Sequence, residues 1–291
     1  MSKIIDGAVI SKNIKEHLYH MIKDMPRKPG LGIILVGEKE DSKIYVKMKH
    51  NACKKVGINN YDVYLPEDSS EEIVIQHIEK MNNDINIDGI LIQLPLPGHL
   101  NRNRILNKVS INKDVDGFHV NNMGKLLIND INFNTVPCTP LGCLRLIKEY
   151  SITIEGKEVV IIGCGSVVGL PLSLLLLHRG ATVTICHDKT KDIYEHTKKA
   201  DILICATGNP RLVNGDHIKE GVVIIDIGIS KVVDTTAEKG YRIVGDVDYD
   251  SVIDKVSMIT PVPGGVGPMT IAMLLEQTVK LSYNNQNIIS V

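Results

Sequence analysis

Short apolar runs separated by longer amphipathic stretches recur along almost the whole chain, and this alternation constrains its fold more than any other feature. In the first half, runs at 31–37, 61–65 and 89–94 read as strands, with helical patterns at about 42–56 and 70–83 between them. In the second half, runs at 158–162, 181–186, 201–205 and 222–227 alternate with helical stretches at about 167–179 and 190–199. Strands spaced in this way are joined by crossover helices and lie parallel. A linking helix is expected over 139–150, opened by Thr139 or Pro140. With 291 residues the chain can form two domains, each with its own core. The expected class is α/β: two α/β domains with a cleft between them, the second a Rossmann-like dinucleotide-binding domain. The expected boundaries are 1–138 for the first domain, completed by a C-terminal helix at about 268–291, and 139–267 for the second.

Composition narrows the function classes. A net charge of −1 argues against a nucleic-acid partner recognised by bulk electrostatics. No apolar run approaches the ~20 residues that span a bilayer, and no membrane association is expected. The opening residues carry Asp6 and Gly7 where a secretory leader needs an unbroken apolar core, so a soluble, cytoplasmic protein is expected. The six cysteines form no Cys-x-x-Cys pair, and several lie in apolar runs as buried thiols do. His17 and His20 share a helical face without converging carboxylates or thiols; no metal is expected.

Gly163-Cys164-Gly165-Ser166-Val167-Val168-Gly169 follows a strand and leads into an apolar helix. Glycines at such a turn let the backbone approach a diphosphate, and the helix N-terminus supplies amide donors. The spacing is Gly-x-Gly-x-x-x-Gly, so a tight turn without a ligand is the competing reading. Asp188, at the end of the next strand, suits the ribose hydroxyls of a dinucleotide and would repel a 2′-phosphate. It would equally serve as the cap of a helix starting near Lys191. Two further strands run into small-residue turns, at Thr207-Gly208 and at Gly228-Ile229-Ser230, and would bring backbone to the same sheet edge.

In the first half, Ser42, Tyr45 and Lys49 fall within a helical sector about 60° wide. Ile44, Met48 and Ala52 would form the neighbouring apolar stripe, with Gly57 ending the helix. A Tyr–Lys pair at this spacing is often a surface accident. Two other segments point to the same place, however. The strand Gly89-Ile90-Leu91-Ile92 leads to Gln93 and then breaks at Pro95 and Pro97. The turn Asp114-Val115-Asp116-Gly117 is expected to turn Asp116 toward the crevice and Asp114 toward solvent. Near the C-terminus, Thr260-Pro261-Val262-Pro263-Gly264-Gly265-Val266-Gly267-Pro268-Met269-Thr270 reads either as a rigid ligand-approaching loop or as an interdomain turn, with Pro268 opening the last helix.

In sum of its motifs the chain resembles the bifunctional methylenetetrahydrofolate dehydrogenase/methenyltetrahydrofolate cyclohydrolase family. The resemblance rests on Ser42-x-x-Tyr45-x-x-x-Lys49, the run from Asp88 to Pro97, Lys113-Asp114-Val115-Asp116-Gly117-Phe118, Pro137-Cys138-Thr139-Pro140-x-Gly142 and the Pro261–Thr270 segment. It implies oxidation of 5,10-methylenetetrahydrofolate, then hydrolysis to 10-formyltetrahydrofolate, which feeds purine biosynthesis. It implies Lys49 as the central catalytic residue with Gln93 as its partner, Tyr45 along the aminobenzoate ring and Asp116 on the pterin. Pro263, Gly264 and Gly265 would line the substrate site. Gly163, Cys164, Gly165, Ser166, Asp188 and Ile229 would hold the dinucleotide. A homodimer is also implied.

The chain departs from the family at telling places. Many members carry Arg-Ser where this chain has Cys164-Gly165, and serine where it has Asp188. The missing guanidinium and the added acid favour NAD, whereas family habit favours NADP. Asn51 stands where a second basic residue is common, and Ser230 where asparagine is usual. A dehydrogenase-only member, a generic NAD(P)-dependent dehydrogenase and a dinucleotide sensor are the rival expectations. The last would have lost Lys49 or Asp116, and both are present.

Overall fold

The computed structural model describes residues 3–130 and 135–286, which group into two compact α/β units. One comprises Lys12–Cys138 and the chain from Ile271 onward. The other comprises the chain up to Ser11 together with Thr139–Thr270.

Through the first unit the elements run α1 (Gly7–Lys23), β1 (Gly30–Val36), α2 (Glu40–Val56), β2 (Asn59–Leu65), α3 (Glu71–Asn83), β3 (Gly89–Ile92), α4 (Arg102–Leu106) and α5 (Val120–Leu127). The strands pair in parallel in the order β2-β1-β3. Strand β1 is buried at all seven positions, as the central strand of a covered parallel sheet must be. Ile34, Val36, Ile90 and Ile92 pack there with Val74 and Ile78 of α3 and Ile105 of α4. The start of the sheet is pinned by Asp88, whose buried carboxylate accepts from Gly30 N (2.9 Å) and from both terminal nitrogens of Arg27 (2.7 and 3.0 Å). Such a two-pronged pair satisfies the buried charge rather than leaving it bare.

The second unit continues α6 (Cys138–Glu149), β4 (Glu158–Ile162), α7 (Gly169–Leu177), β5 (Thr182–Cys186), α8 (Ile193–Thr197), β6 (Ile202–Cys205) and β7 (Val223–Asp226). It ends with β8 (Ser230–Val233), β9 (Tyr241–Val244), α9 (Tyr249–Val252) and β10 (Met258–Ile259), and α10 (Val266–Asn285) follows, belonging from Ile271 onward to the first unit. Its five-stranded sheet is wholly parallel, in the order β10-β7-β6-β4-β5. Chain progression reverses between β4 and β6: β5 lies on one side of β4, and β6, β7 and β10 on the other. Ligands of doubly wound sheets bind at the carboxyl ends of the strands at that reversal.

The strands and the α/β class follow the sequence reading, with ends moved by a residue or two. Several elements differ from it. Helix α1 escaped notice although its signal was present: Asp6 Oδ1 accepts from Ala8 N (2.9 Å) and Val9 N (3.1 Å), as an N-cap does. The helix expected at 190–199 contracts to α8, because the lysines around it leave few side chains to bury. The last helix begins at Val266, so Gly267 and Pro268 sit in its first turn, where proline has no partner to lose. Residues 287–291 of the expected helix lie outside the described residues. The antiparallel pair β8–β9 is short and charged, and no alternation announced it. Among the described residues, no helix is long and apolar enough to cross a membrane.

Candidate functional site

In the first unit, α2 ends as its sequence dictates: Gly57 takes the left-handed conformation (φ 94°) and its N–H donates to Cys53 O. Its buried face is not the one expected. Ile44 and Met48 are each 49% exposed and only Ala52 of the expected stripe is buried; the other buried positions are Ser42, Val46, Lys49, Cys53 and Val56. The spacing of those five keeps them on one stripe, and Lys49 lies in its middle rather than at its edge.

Only 8% of Lys49 is exposed, and its Nζ donates to Gln93 Oε1 at 2.9 Å. Gln93 cannot present its other end, since its Nε2 donates to Leu94 O at 2.7 Å. The backbone of Gln93 is held in turn by N–H donation to Ile34 O (2.9 Å), which extends the sheet beyond β3. Burial pulls the Lys49 amine below the ordinary lysine value, opposed by the negative charge of Asp116 and then by the thiols of Cys138 and Cys53. The neutral partner Gln93 orients the amine without restoring a counter-charge. Tyr45 is half-buried one turn earlier, and burial, then Asp41, pushes its hydroxyl upward.

Asp116 is partly exposed and its Oδ1 accepts from Cys138 N at 3.3 Å. Asp114 does not face solvent: it is 5% exposed and organises the turn from inside. It accepts from Phe118 N (3.3 Å), His119 N (2.9 Å) and Asn122 Nδ2 (2.7 Å). Burial raises its carboxyl and those hydrogen bonds oppose the rise. An acid followed by a short helix four to six residues on was the available signal. The first unit thus gathers a buried amine, an amide and a carboxylate, with a phenol on the same helix.

In the second unit, Gly163 follows β4 with φ 104°, and a Cβ there would meet Ala206 O at 2.3 Å. Ala206 directly follows β6, so this contact lies at the reversal of strand order. A Cβ on Gly169 would meet Gly163 O at 1.8 Å, which presses the start of α7 onto the loop. Cys164, Gly165 and Ser166 stand exposed between them. A glycine loop ending β4 and opening a helix fits a diphosphate. Asp188 caps nothing, for the N-cap position of α8 is Asp192. Its side chain is 79% exposed and ion-paired with Lys189 (2.9 Å). Ile229 is half-exposed beside Gly228, whose N–H donates to Asp226 Oδ1 at 3.0 Å. Pro263, Gly264 and Gly265 form the turn before α10: the Val262–Pro263 bond is cis, Gly264 has φ 112° and Gly265 N donates to Pro261 O.

Sequence reasoning missed Asp246. It is fully buried, and its Oδ2 accepts from Thr207 N (2.6 Å), Thr207 Oγ1 (2.9 Å) and Gly208 N (3.2 Å). Asp226 meanwhile accepts from Asp246 N (3.0 Å) and Val247 N (2.9 Å). The two carboxylates tie together the turns that follow β6 and β7. Nothing local in Gly245-Asp246-Val247 marks it out.

Known proteins resemble the chain over almost its whole length. Residues 5–116 match the model of the tetrahydrofolate dehydrogenase/cyclohydrolase catalytic domain, and residues 137–286 that of the NAD(P)-binding domain. The bifunctional protein FolD of Aquifex aeolicus is 49% identical over 290 residues, covering 98% of this chain and 97% of its own. The crystal structure of the bifunctional FolD enzyme of Campylobacter jejuni is similar with a TM-score of 0.92 and 45% identity, over 97% of this chain and 98% of that one. The Trypanosoma brucei enzyme, solved with NADP and an inhibitor, is similar with a TM-score of 0.93 and 36% identity, over 99% and 98% of the two chains.

Proposed function

The chain belongs to the tetrahydrofolate dehydrogenase/cyclohydrolase family and carries its two activities, and we propose which residues perform them. It oxidises 5,10-methylenetetrahydrofolate with a nicotinamide dinucleotide and hydrolyses the methenyl product to 10-formyltetrahydrofolate. The dinucleotide, when bound, accepts the hydride.

Lys49 is the proton-transfer residue of the hydrolytic step. A buried amine already drawn toward its neutral form takes a proton from the water that adds to the methenyl carbon. The cationic substrate favours the neutral amine further. Lys49 returns that proton to the ring nitrogen as the carbon–nitrogen bond opens, and the remaining hydroxyl proton leaves to solvent. Gln93 holds the amine in place, Asp116 accepts from the pterin's amino group and ring N–H, and Tyr45 packs along the aminobenzoate. Pro263, Gly264 and Gly265 offer bare backbone to the substrate. Gly163, Cys164, Gly165 and Ser166 hold the diphosphate, with Ile229 beside the nicotinamide half. One observation carries the reading: a lysine 8% exposed whose amine is held by a neutral amide.

NADP is the family's default cofactor, whereas Asp188 and the absence of Lys or Arg from residues 163–169 support use of NAD. A cytoplasmic homodimer supplying purine biosynthesis belongs to the same proposal, and light scattering in solution checks the dimer. The test of function follows the methenyl absorbance after methylenetetrahydrofolate is added with NAD or NADP. It is expected to rise and then decay at an enzyme-dependent rate. A rise with only spontaneous decay would reduce the protein to a dehydrogenase.

A further inference from the structure

Asp116 projects from a turn, and a turn alone leaves a side chain free to drift. The structure shows what holds it. Gln277 lies on α10, a helix buried on nearly every side from Ile271 to Ser282, and is itself 5% exposed. Its Oε1 accepts from Val136 N at 2.9 Å. Its Nε2 donates to Val115 O (2.8 Å), Val136 O (2.9 Å) and Cys138 Sγ (3.4 Å). Both ends of one amide are thereby engaged by two strips of the chain, at 115 and at 136–138.

Those strips are the two that place Asp116. Val115 directly precedes it, and Cys138 supplies the N–H that its Oδ1 accepts at 3.3 Å. They are also packed without slack: a Cβ on Gly117 would lie 2.7 Å from Val136 C. On the far side Thr135 Oγ1 donates to Asp114 O at 2.6 Å, while the Asp114 carboxylate holds Phe118 and His119. We propose that Gln277 is a positioning residue for Asp116: it clamps the 115–117 turn to the 136–138 segment so that the carboxylate meets the pterin in one orientation. A neutral amide suits the place. A charged side chain there would act on both Asp116 and the Lys49 amine, whose charges already interact.

The inference rests on the reading of Asp116 as the pterin-holding carboxylate, and the experiment separates the two. Steady-state kinetics are measured for Gln277→Met, Gln277→Asn, Asp116→Asn and the Gln277→Met/Asp116→Asn pair, with folding checked by circular dichroism. Gln277→Met is expected to raise KM for methylenetetrahydrofolate about tenfold, with KM for the dinucleotide within twofold of the parent. Gln277→Asn, one methylene shorter with its amide kept, should fall between, and it remains readable should the methionine variant not fold. In the Asp116→Asn background Gln277→Met should add nothing to KM, because a positioning residue has no effect without the group it positions. Losses that multiply in the double variant, or folded Gln277 variants with parental KM, overturn the positioning role alone. Unchanged KM in Asp116→Asn overturns the Asp116 reading and the clamp built on it.

Discussion

Lys49 combines a charge-bearing amine with near-complete burial, and the consequences are local. Its neighbour Val46 on the buried stripe of α2 offers no charge to keep the ammonium form, Gln93 offers only a dipole, and the charge of Asp116 opposes the effect of burial without overcoming it. Lys49→Met keeps the length of the side chain and removes the proton carrier. It is expected to slow methenyl hydrolysis by roughly 10²–10⁴-fold, the usual contribution of a placed acid–base group, while the circular dichroism spectrum stays parental. Hydrolysis at the parental rate would take Lys49 out of the mechanism. At the other half of the chemistry, Asp188 is exposed and pairs with Lys189 (2.9 Å) and more loosely with His187 (3.9 Å), and this exposure leaves it available to a ribose. Asp188→Ser removes the charge that a 2′-phosphate would meet. The ratio of kcat/KM for NADP over NAD should rise by about tenfold, equivalent to ~1.4 kcal/mol. A ratio that does not move would mean that Asp188 does not read the ribose.

At the level of elements, the loop between β4 and α7 is set by contacts that admit no side chain. Gly169 begins α7 with its Cα against the carbonyl of Gly163. Gly169→Ala must push the helix from the sheet or open the loop, and either way the turn that would cradle a diphosphate is lost. The variant is expected to lose about 2 kcal/mol or more of stability in urea denaturation and most of its dinucleotide affinity. Parental affinity measured by titration calorimetry would show that the loop has slack. Gly165→Ala serves as a control for stability alone, because a Cβ there meets no protein atom within 4 Å.

For the molecule as a whole, the buried carboxyl of Asp226 gives stability a pH dependence of definite sign. Burial pushes Asp226 from the usual 3.8 up to about 6, with the charge of Asp246 acting in the same direction against the backbone N–H donors. The folded state therefore holds a proton that the unfolded chain has released between these values. The stabilisation is complete below about pH 4 and is lost as pH rises through about 6, with a magnitude on the order of 3 kcal/mol. Asp226→Asn removes the titrating carboxyl and keeps an oxygen for the backbone N–H groups of Asp246 and Val247. It should flatten the decline in stability between pH 4 and 6, read from denaturation midpoints. A decline as steep as the parent's would exonerate Asp226.

The sequence by itself determined what depends on neighbours along the chain. The parallel strands announced themselves as β-branched runs, Gly57 and Gly163 as the backbone positions that needed no Cβ, and Lys49, Gln93 and Asp116 through motifs at fixed spacing. Tertiary structure decided what depends on partners far away in the chain. It turned α2 so that Lys49 rather than Ile44 and Met48 was buried, because a stripe's inward side is chosen by what packs on it and not by hydropathy alone. It drew Asp114 inside, where Phe118, His119 and Asn122 could satisfy it. And it gave Gln277 and Asp246 their places, for a side chain whose partners lie far off in the chain leaves no periodicity to read; only the closed core brings its hydrogen bonds within reach.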